Sequence, residues 1–177
     1  MPFTALHCAP VWLLFIARPK RFDWISLSIG ATLPDLLEPL MILVFTEYYW
    51  NVRVWTHSIL GAVTIILLGA ILISLFVIPK ILIYLKNSYV DKRFYTFGGL
   101  NILENRGSIS VIIYSALIGA LSHVTIDLFY HATNPIFYPF GSTAILFFND
   151  LFISKIIITI ITGGLFCYIA YRYWWKN

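Results

Sequence analysis

Charge is what this sequence has least of. Only 11% of its 177 residues are Asp, Glu, Lys or Arg, against about 25% in an ordinary soluble domain. Cysteine is nearly missing as well: Cys8 and Cys167 stand at opposite ends of the chain, so neither a disulfide framework nor a Cys-x-x-Cys metal site is encoded. The weakly hydrophobic composition of a disordered chain is absent. So is the basic stripe on which nucleic-acid affinity rests, and no nucleic-acid partner is expected. Apolar residues fill the space instead: 60% of the chain is hydrophobic and the mean hydropathy is +0.85. A water-soluble domain of this size could not hide that much apolar surface. The chain belongs in a membrane.

A transmembrane helix needs about 20 mainly apolar residues. Four stretches qualify, approximately Trp24 to Phe45, His57 to Pro79, Ser108 to Tyr130 and Leu151 to Tyr171. The second has no Asp, Glu, Lys or Arg, the third only Asp127, the fourth only Lys155, and the first only Asp35 and Glu38. Residues 2–17 are apolar but short, and are predicted to form a half-helix dipping into the bilayer or a short fifth span. They lack the basic start and small-residue cleavage site of a signal peptide, so this segment is expected to be retained. The predicted fold class is an all-α integral membrane protein. It has about four transmembrane helices plus that N-terminal element, in a single transmembrane domain over residues 1–177.

Basic residues set the expected orientation. Arg18, Lys20 and Arg21 precede the first span; Lys80, Lys86, Lys92, Arg93 and Arg106 join the second to the third; Arg172 and Lys176 follow the fourth. If each span crosses once, ten of the 12 basic residues fall on one side, leaving Arg53 and Lys155 on the other. The expectation is a multi-pass protein of the cell membrane with basic loops and C-terminus cytoplasmic and the 131–150 connection outside. Trp24, Trp174 and Trp175 would mark the inner interface, and Trp50 and Trp55 the outer one. The basic loop reads first as a topology signal, and secondly as a place for anionic lipid head groups.

Ionisable side chains at membrane depth are costly and mark functional sites by default. Here they are His7, Asp35, Glu38, His57, His123, Asp127 and, at a helix end, His131; every histidine of the chain is among them. The topology brings them toward the outer half of the bundle. Ser115, Gly119, His123, Asp127 and His131 recur at intervals of four along one helix face. The small residues allow close helix contact; the imidazole–carboxylate pair above them can chelate a cation, although a buried His–Asp hydrogen bond explains such a pair equally well. Pro34 and Pro39 flank Asp35 and Glu38, which predicts an interrupted helix lining a cavity. Thr56 is a candidate helix cap beside His57. Cys8 reads as a small apolar core residue rather than a thiolate ligand. The apolar 131–150 connection could fold over the cluster as an aromatic lid or lie along the membrane.

Met1-Pro2-Phe3-Thr4…His7, Pro34-Asp35, Thr56-His57-Ser58, His123-x-x-x-Asp127 and Pro139-Phe140 together resemble the prokaryotic membrane-bound metal-dependent hydrolases of the YdjM-like, LexA-regulated type. The opening Met-Pro-Phe-Thr is closer still to an uncharacterised sister family. The resemblance implies a hydrolytic reaction and a metal set of His7, Asp35, His57, His123 and Asp127. The pattern departs at two places. Pro34-Asp35 is followed by Leu36-Leu37-Glu38 where a second Asp is usual, and Val52-Arg53-Val54-Trp55 replaces a stretch that usually opens with His. Glu38 and His131 are the residues that could substitute.

Nitrogen and carboxylate donors suit a divalent transition metal, with Zn²⁺ first and Mn²⁺ or Fe²⁺ next. An activated water would then attack an ester, phosphoester or amide of an amphiphilic or lipid-linked substrate, with Glu38 or Asp127 as base. Other classes use the same residues differently. A cation or proton transporter would relay ions through them; a haem carrier would use two histidines as axial ligands; a membrane accessory subunit would use them to tie helices together. Beyond membrane lipid, no protein partner is written in the sequence.

Overall fold

The computed structural model describes residues 4–45, 49–88, 96–97, 100–101, 106–131, 134–141 and 151–175. Met1, Pro2 and Phe3 of the opening motif, the topology residues Lys92, Arg93 and Lys176, and residues 142–150 of the outer connection lie outside the described residues. Of Trp50, Trp174 and Trp175 only the backbone is described.

Helix α1, Thr4–Ala17, opens with a 3-10 turn over Thr4–His7. It is followed by α2, Trp24–Phe45, the short α3, Tyr49–Thr56, and α4, Ile59–Asn87. A hairpin of two-residue strands, β1 (Thr96–Phe97) and β2 (Leu100–Asn101), pairs antiparallel. Then come α5, Ile109–Asp127, and α6, Leu151–Ala170, which continues π-helically through Tyr171–Trp175. Four helices, α2, α4, α5 and α6, are long and apolar enough to cross a membrane. The 14 residues of α1 are apolar but fall short of that length.

Helices α2 and α5 cross so closely that backbones touch. A Cβ added to Gly30 would collide with the backbone of Ala116 and Ala120, and one added to Gly119 with that of Leu27 and Ala31. Small residues let helices approach this way where lipid supplies no hydrophobic drive between them. Two apolar clusters flank the crossing. Cys8, Val11, Trp12 and Phe15 of α1 pack with Ile25, Leu27 and Ile169; Leu33, Ala62, Ile66 and Ala70 pack with Ala116, Ala120 and Val124.

Three local expectations change. Helix α2 runs unbroken through Pro34 and Pro39, so the prolines open its carbonyl ladder without ending the helix. Helix α4 continues past Pro79; the π-helical stretch Ile73–Val77 lies just ahead of that proline, and Lys80 and Lys86 are therefore helical rather than part of a loop. Its cap is Ser58, whose Oγ accepts from Gly61 N at 2.9 Å, and not Thr56.

A buried polar lock joins the helices at the end opposite the histidines. Asp23 Oδ1 accepts from the amide and hydroxyl of Ser26 at 2.7 and 2.6 Å, an N-terminal cap of α2. Its Oδ2 accepts from Arg106 Nε at 2.8 Å, and its own amide donates to Ser115 Oγ at 3.0 Å. Arg106 Nη2 donates to Ser74 O at 3.2 Å. The starts of α2 and α5 are thereby pinned to α4.

Candidate metal centre

The four-residue row on α5 is wholly buried from Ser115 through Gly119 and His123 to Asp127, so that face lies against α2 for three turns. His123 Nδ1 donates to Ala31 O at 2.8 Å. That carbonyl adjoins the one on Gly30, whose helical donor Pro34 removes. The acceptor fixes the tautomer: Nδ1 carries the proton and Nε2 keeps its lone pair. Nε2 is fully buried and has no hydrogen-bond partner.

His57 sits at the α3–α4 junction and is held in the same way. Thr56 gives its hydroxyl proton to Val52 O at 3.1 Å and accepts from His57 Nδ1 at 2.7 Å. Its Nε2 lone pair then faces Asp35 Oδ1 at 3.4 Å, with Glu38 Oε2 and Asp127 Oδ2 each at 3.6 Å. His7, delivered by the first turn of α1, stacks on His123 with ring centroids 4.2 Å apart. Its Nε2 is 3.9 Å from both Asp35 Oδ2 and Asp127 Oδ1. Asp35 Oδ1 also stands 3.6 Å from His123 Nε2, while Asp35 Oδ2 accepts no hydrogen bond.

Arg53 is the residue that sequence reading assigned to topology and the fold assigns to the cluster. It is 1% exposed, with Nη2 2.8 Å from Asp127 Oδ2 and Nη1 3.6 Å from Glu38 Oε2. Its place in the motif Arg53-x-x-Thr56-His57-Ser58 was the signal that could have found it.

Other expected positions sort plainly. His131 lies at the rim, half-buried, 3.9 Å from the Asp127 oxygen that Arg53 already holds. Burial pushes its imidazole down to about 4, against the upward pull of Asp127 and with the help of Arg53. Cys8 turns away to Ser28 O at 3.8 Å, inside the apolar core. Asn134, which sequence reading passed over, is buried and donates to Asp127 O at 2.9 Å and His131 O at 3.2 Å. The segment from Asn134 to Gly141 rests on the α3–α4 junction through Ile59 N to Ile136 O at 3.0 Å and Tyr138 against Trp55. Phe140 is 94% exposed, so this part of the expected lid turns an aromatic ring outward instead of closing it over the cluster.

The family pattern described as Domain of unknown function (DUF4184) matches residues 1–176. The chain is a member of that family. No curated protein and no solved structure matches it.

In this DUF4184 chain three overlapping groups of donors lie within 4.8 Å: His7, Asp35 and His123; His57, His123 and Asp127; Asp35, Glu38 and His57. The residues fit a divalent cation on three counts. Ligand atoms about 2.1 Å from one ion stand about 3.4 Å apart at the tetrahedral angle, and the N–O separations here are 3.4–3.9 Å, too long for good hydrogen bonds. His123 and His57 anchor Nδ1–H on an oxygen and aim Nε2 inward, the usual arrangement behind a metal-ligating imidazole. Asp35 and Asp127 are buried carboxylates facing the imidazole Nε2 atoms, and a buried charge in an apolar interior is paired or coordinates a metal.

Proposed function

We propose that this DUF4184 protein is a membrane-embedded, metal-dependent hydrolase of amphiphilic or lipid-linked esters or phosphoesters. The observation that supports it is the gathering of three imidazole Nε2 atoms and the carboxylates of Asp35 and Asp127 into overlapping buried groups of donors. His7, Asp35, His57, His123 and Asp127 would hold the ion, with Zn²⁺ first and Mn²⁺ or Fe²⁺ next for such donors. A bound ion of this kind supplies Lewis acidity and brings the pKa of water toward neutrality.

The chain's own residues supply the rest. Asp127 divides its oxygens, Oδ2 to Arg53 and Oδ1 toward His7, so one oxygen remains for the ion while the other is anchored. Glu38 Oε2 lies 3.6 Å from His57 and beside Arg53, and in this reading Glu38 would accept a proton from the attacking water. Arg53 orients both carboxylates. Thr56 and Ala31 hold the imidazoles. The helices around the centre are lipid-facing on their other sides, and the outward Phe140 gives an apolar tail a surface beside it; hence the amphiphilic substrate. Localisation in the cell membrane with the basic ends cytoplasmic belongs to the same reading.

Elemental analysis of the purified full-length protein, followed by a panel of lipid-linked esters and phosphoesters, tests this. About one equivalent of transition metal and metal-dependent turnover are expected. Metal without turnover would favour ion transport; protein that takes up no metal would favour a helix-tying accessory role.

A further inference from the structure

Helix α4 runs past the start of α2 at the end away from the histidines. Ser74 meets Ser26 in the first turn of α2, Oγ to Oγ at 3.1 Å, and residues 75–87 carry on beyond that level for about 20 Å. Between this extension and the start of α5 lies a cavity of about 350 Å³. Leu75, Leu82, Ile83 and Ile112 give it apolar walls, Lys86 and Arg106 give it charge, and none of its described lining residues is a carboxylate. Leu75, Leu82 and Lys86 recur at the spacing of a single helix face, so an apolar strip on α4 ends in a cation.

Arg106 is held from behind. Asp23 accepts from its Nε and Ser74 from its Nη2, while Nη1 has no hydrogen-bond partner. A planar guanidinium fixed in this way is suited to a phosphate, and a lysine on a flexible stem supplies a second point charge. We propose that this cavity binds one anionic phospholipid, its head group spanning the stretch from Lys86 to Arg106 and its acyl chain against Leu75, Leu82, Ile83 and Ile112. Charge complementarity selects the occupant. A zwitterionic lipid brings an ammonium toward Lys86 and Arg106, where the described lining offers no acid, whereas an anionic head group meets these cations with opposite charge. The site is separate from the metal centre and stands whether or not that centre is catalytic.

Native mass spectrometry of the detergent-purified full-length protein, with phosphatidylglycerol or phosphatidylcholine added, reads the site directly. One tightly retained phosphatidylglycerol is expected, with about fivefold weaker retention of phosphatidylcholine. Lys86→Gln should weaken phosphatidylglycerol to a similar extent. Ile83→Trp, at a lipid-facing wall position, should reduce retention by filling the cavity; both positions are exposed and leave the core intact. Equal retention of the two lipids, unchanged retention in both variants, or displacement of the lipid by millimolar inorganic phosphate would each overturn the proposal.

Discussion

Arg53 shows what one side chain does to the chemistry of its neighbours. Its guanidinium spans Glu38 and Asp127 inside the bundle, and removing it leaves two carboxylates buried without their cation. Breaking a buried pair from one side costs about 3–5 kcal/mol, so Arg53→Met should lower the melting temperature sharply in detergent. Arg53→Lys keeps the charge but loses the fork, and should fall between the two. Thr56 is the subtler residue. It touches no carboxylate but fixes the His57 tautomer, and orienting partners of metal-ligating histidines typically account for 10–100-fold in affinity. Thr56→Ala should weaken metal binding by about that factor in a competition titration with a chelator, with little change in metal-free melting. Unchanged affinity would remove His57 from the ligand set. For all the ligands, metal binding requires neutral imidazoles and ionised carboxylates, so occupancy should be full at neutral pH and decline on acidification as protons compete for the ligands. The spacing of His123 and Asp127 was legible in the sequence because a helix repeats every 3.6 residues. The burial of Arg53 was not. Counting basic residues for topology treats every arginine as solvated; its motif marks Arg53 for attention, and the packing of α3 on α2 shows that it is buried.

At the scale of elements, the α2–α5 crossing sets the site's dimensions. His123 lies one turn beyond Gly119 and Asp127 two turns beyond it, on the same buried face. On the partner helix, Ala31 follows Gly30 at the point of closest approach and accepts from His123. A side chain at Gly119 would push against the backbone at Leu27 and Ala31, where no rotamer change can make room. Overpacking of this kind costs about 1–3 kcal/mol. Gly119→Val should therefore lower stability and, by separating His123 from Asp35, lose metal as well; Gly163→Val on α6, where an added Cβ meets nothing within 4 Å, should do neither. Metal retention in Gly119→Val would show that the centre does not depend on this crossing. The long helices were readable from their apolar runs, and small residues at intervals of four announced the crossing. The interior of α2 was not readable from Pro34 and Pro39, because tertiary packing sustains a helix that proline weakens. The continuation of α4 was hidden in the same manner by Pro79, Lys80 and Lys86, which look like the end of a span until the preceding π-helical stretch is seen.

For the molecule as a whole, the distribution of polar groups predicts its relation to the bilayer. The two buried polar clusters occupy opposite ends of α5. The Asp23–Arg106 lock is near its start and the histidine–carboxylate centre near its finish, separated by the apolar crossing at Ala116 and Ala120. About 19 residues of helix rise nearly 30 Å, the thickness of the hydrocarbon core, so α5 is long enough for the chain leaving it to emerge on the face opposite to the one where it entered. The connection after α4 and the segment around Phe140 should then lie on opposite sides. On the proposed orientation, charge bias would put Arg18, Lys20 and Arg21 before α2, with Lys80, Lys86 and Arg106, on the cytoplasmic side; the burial of Arg53 removes one of the two opposing charges from that comparison. In a background of Cys8→Ala and Cys167→Ala, an Asn87→Cys variant should react with a membrane-impermeant maleimide only after the cells are opened, and a Phe140→Cys variant should react in intact cells. Reaction of both in intact cells would mean that α5 does not cross. Reaction of Asn87→Cys alone would invert the protein, placing the metal centre and any substrate it serves at the cytoplasmic face.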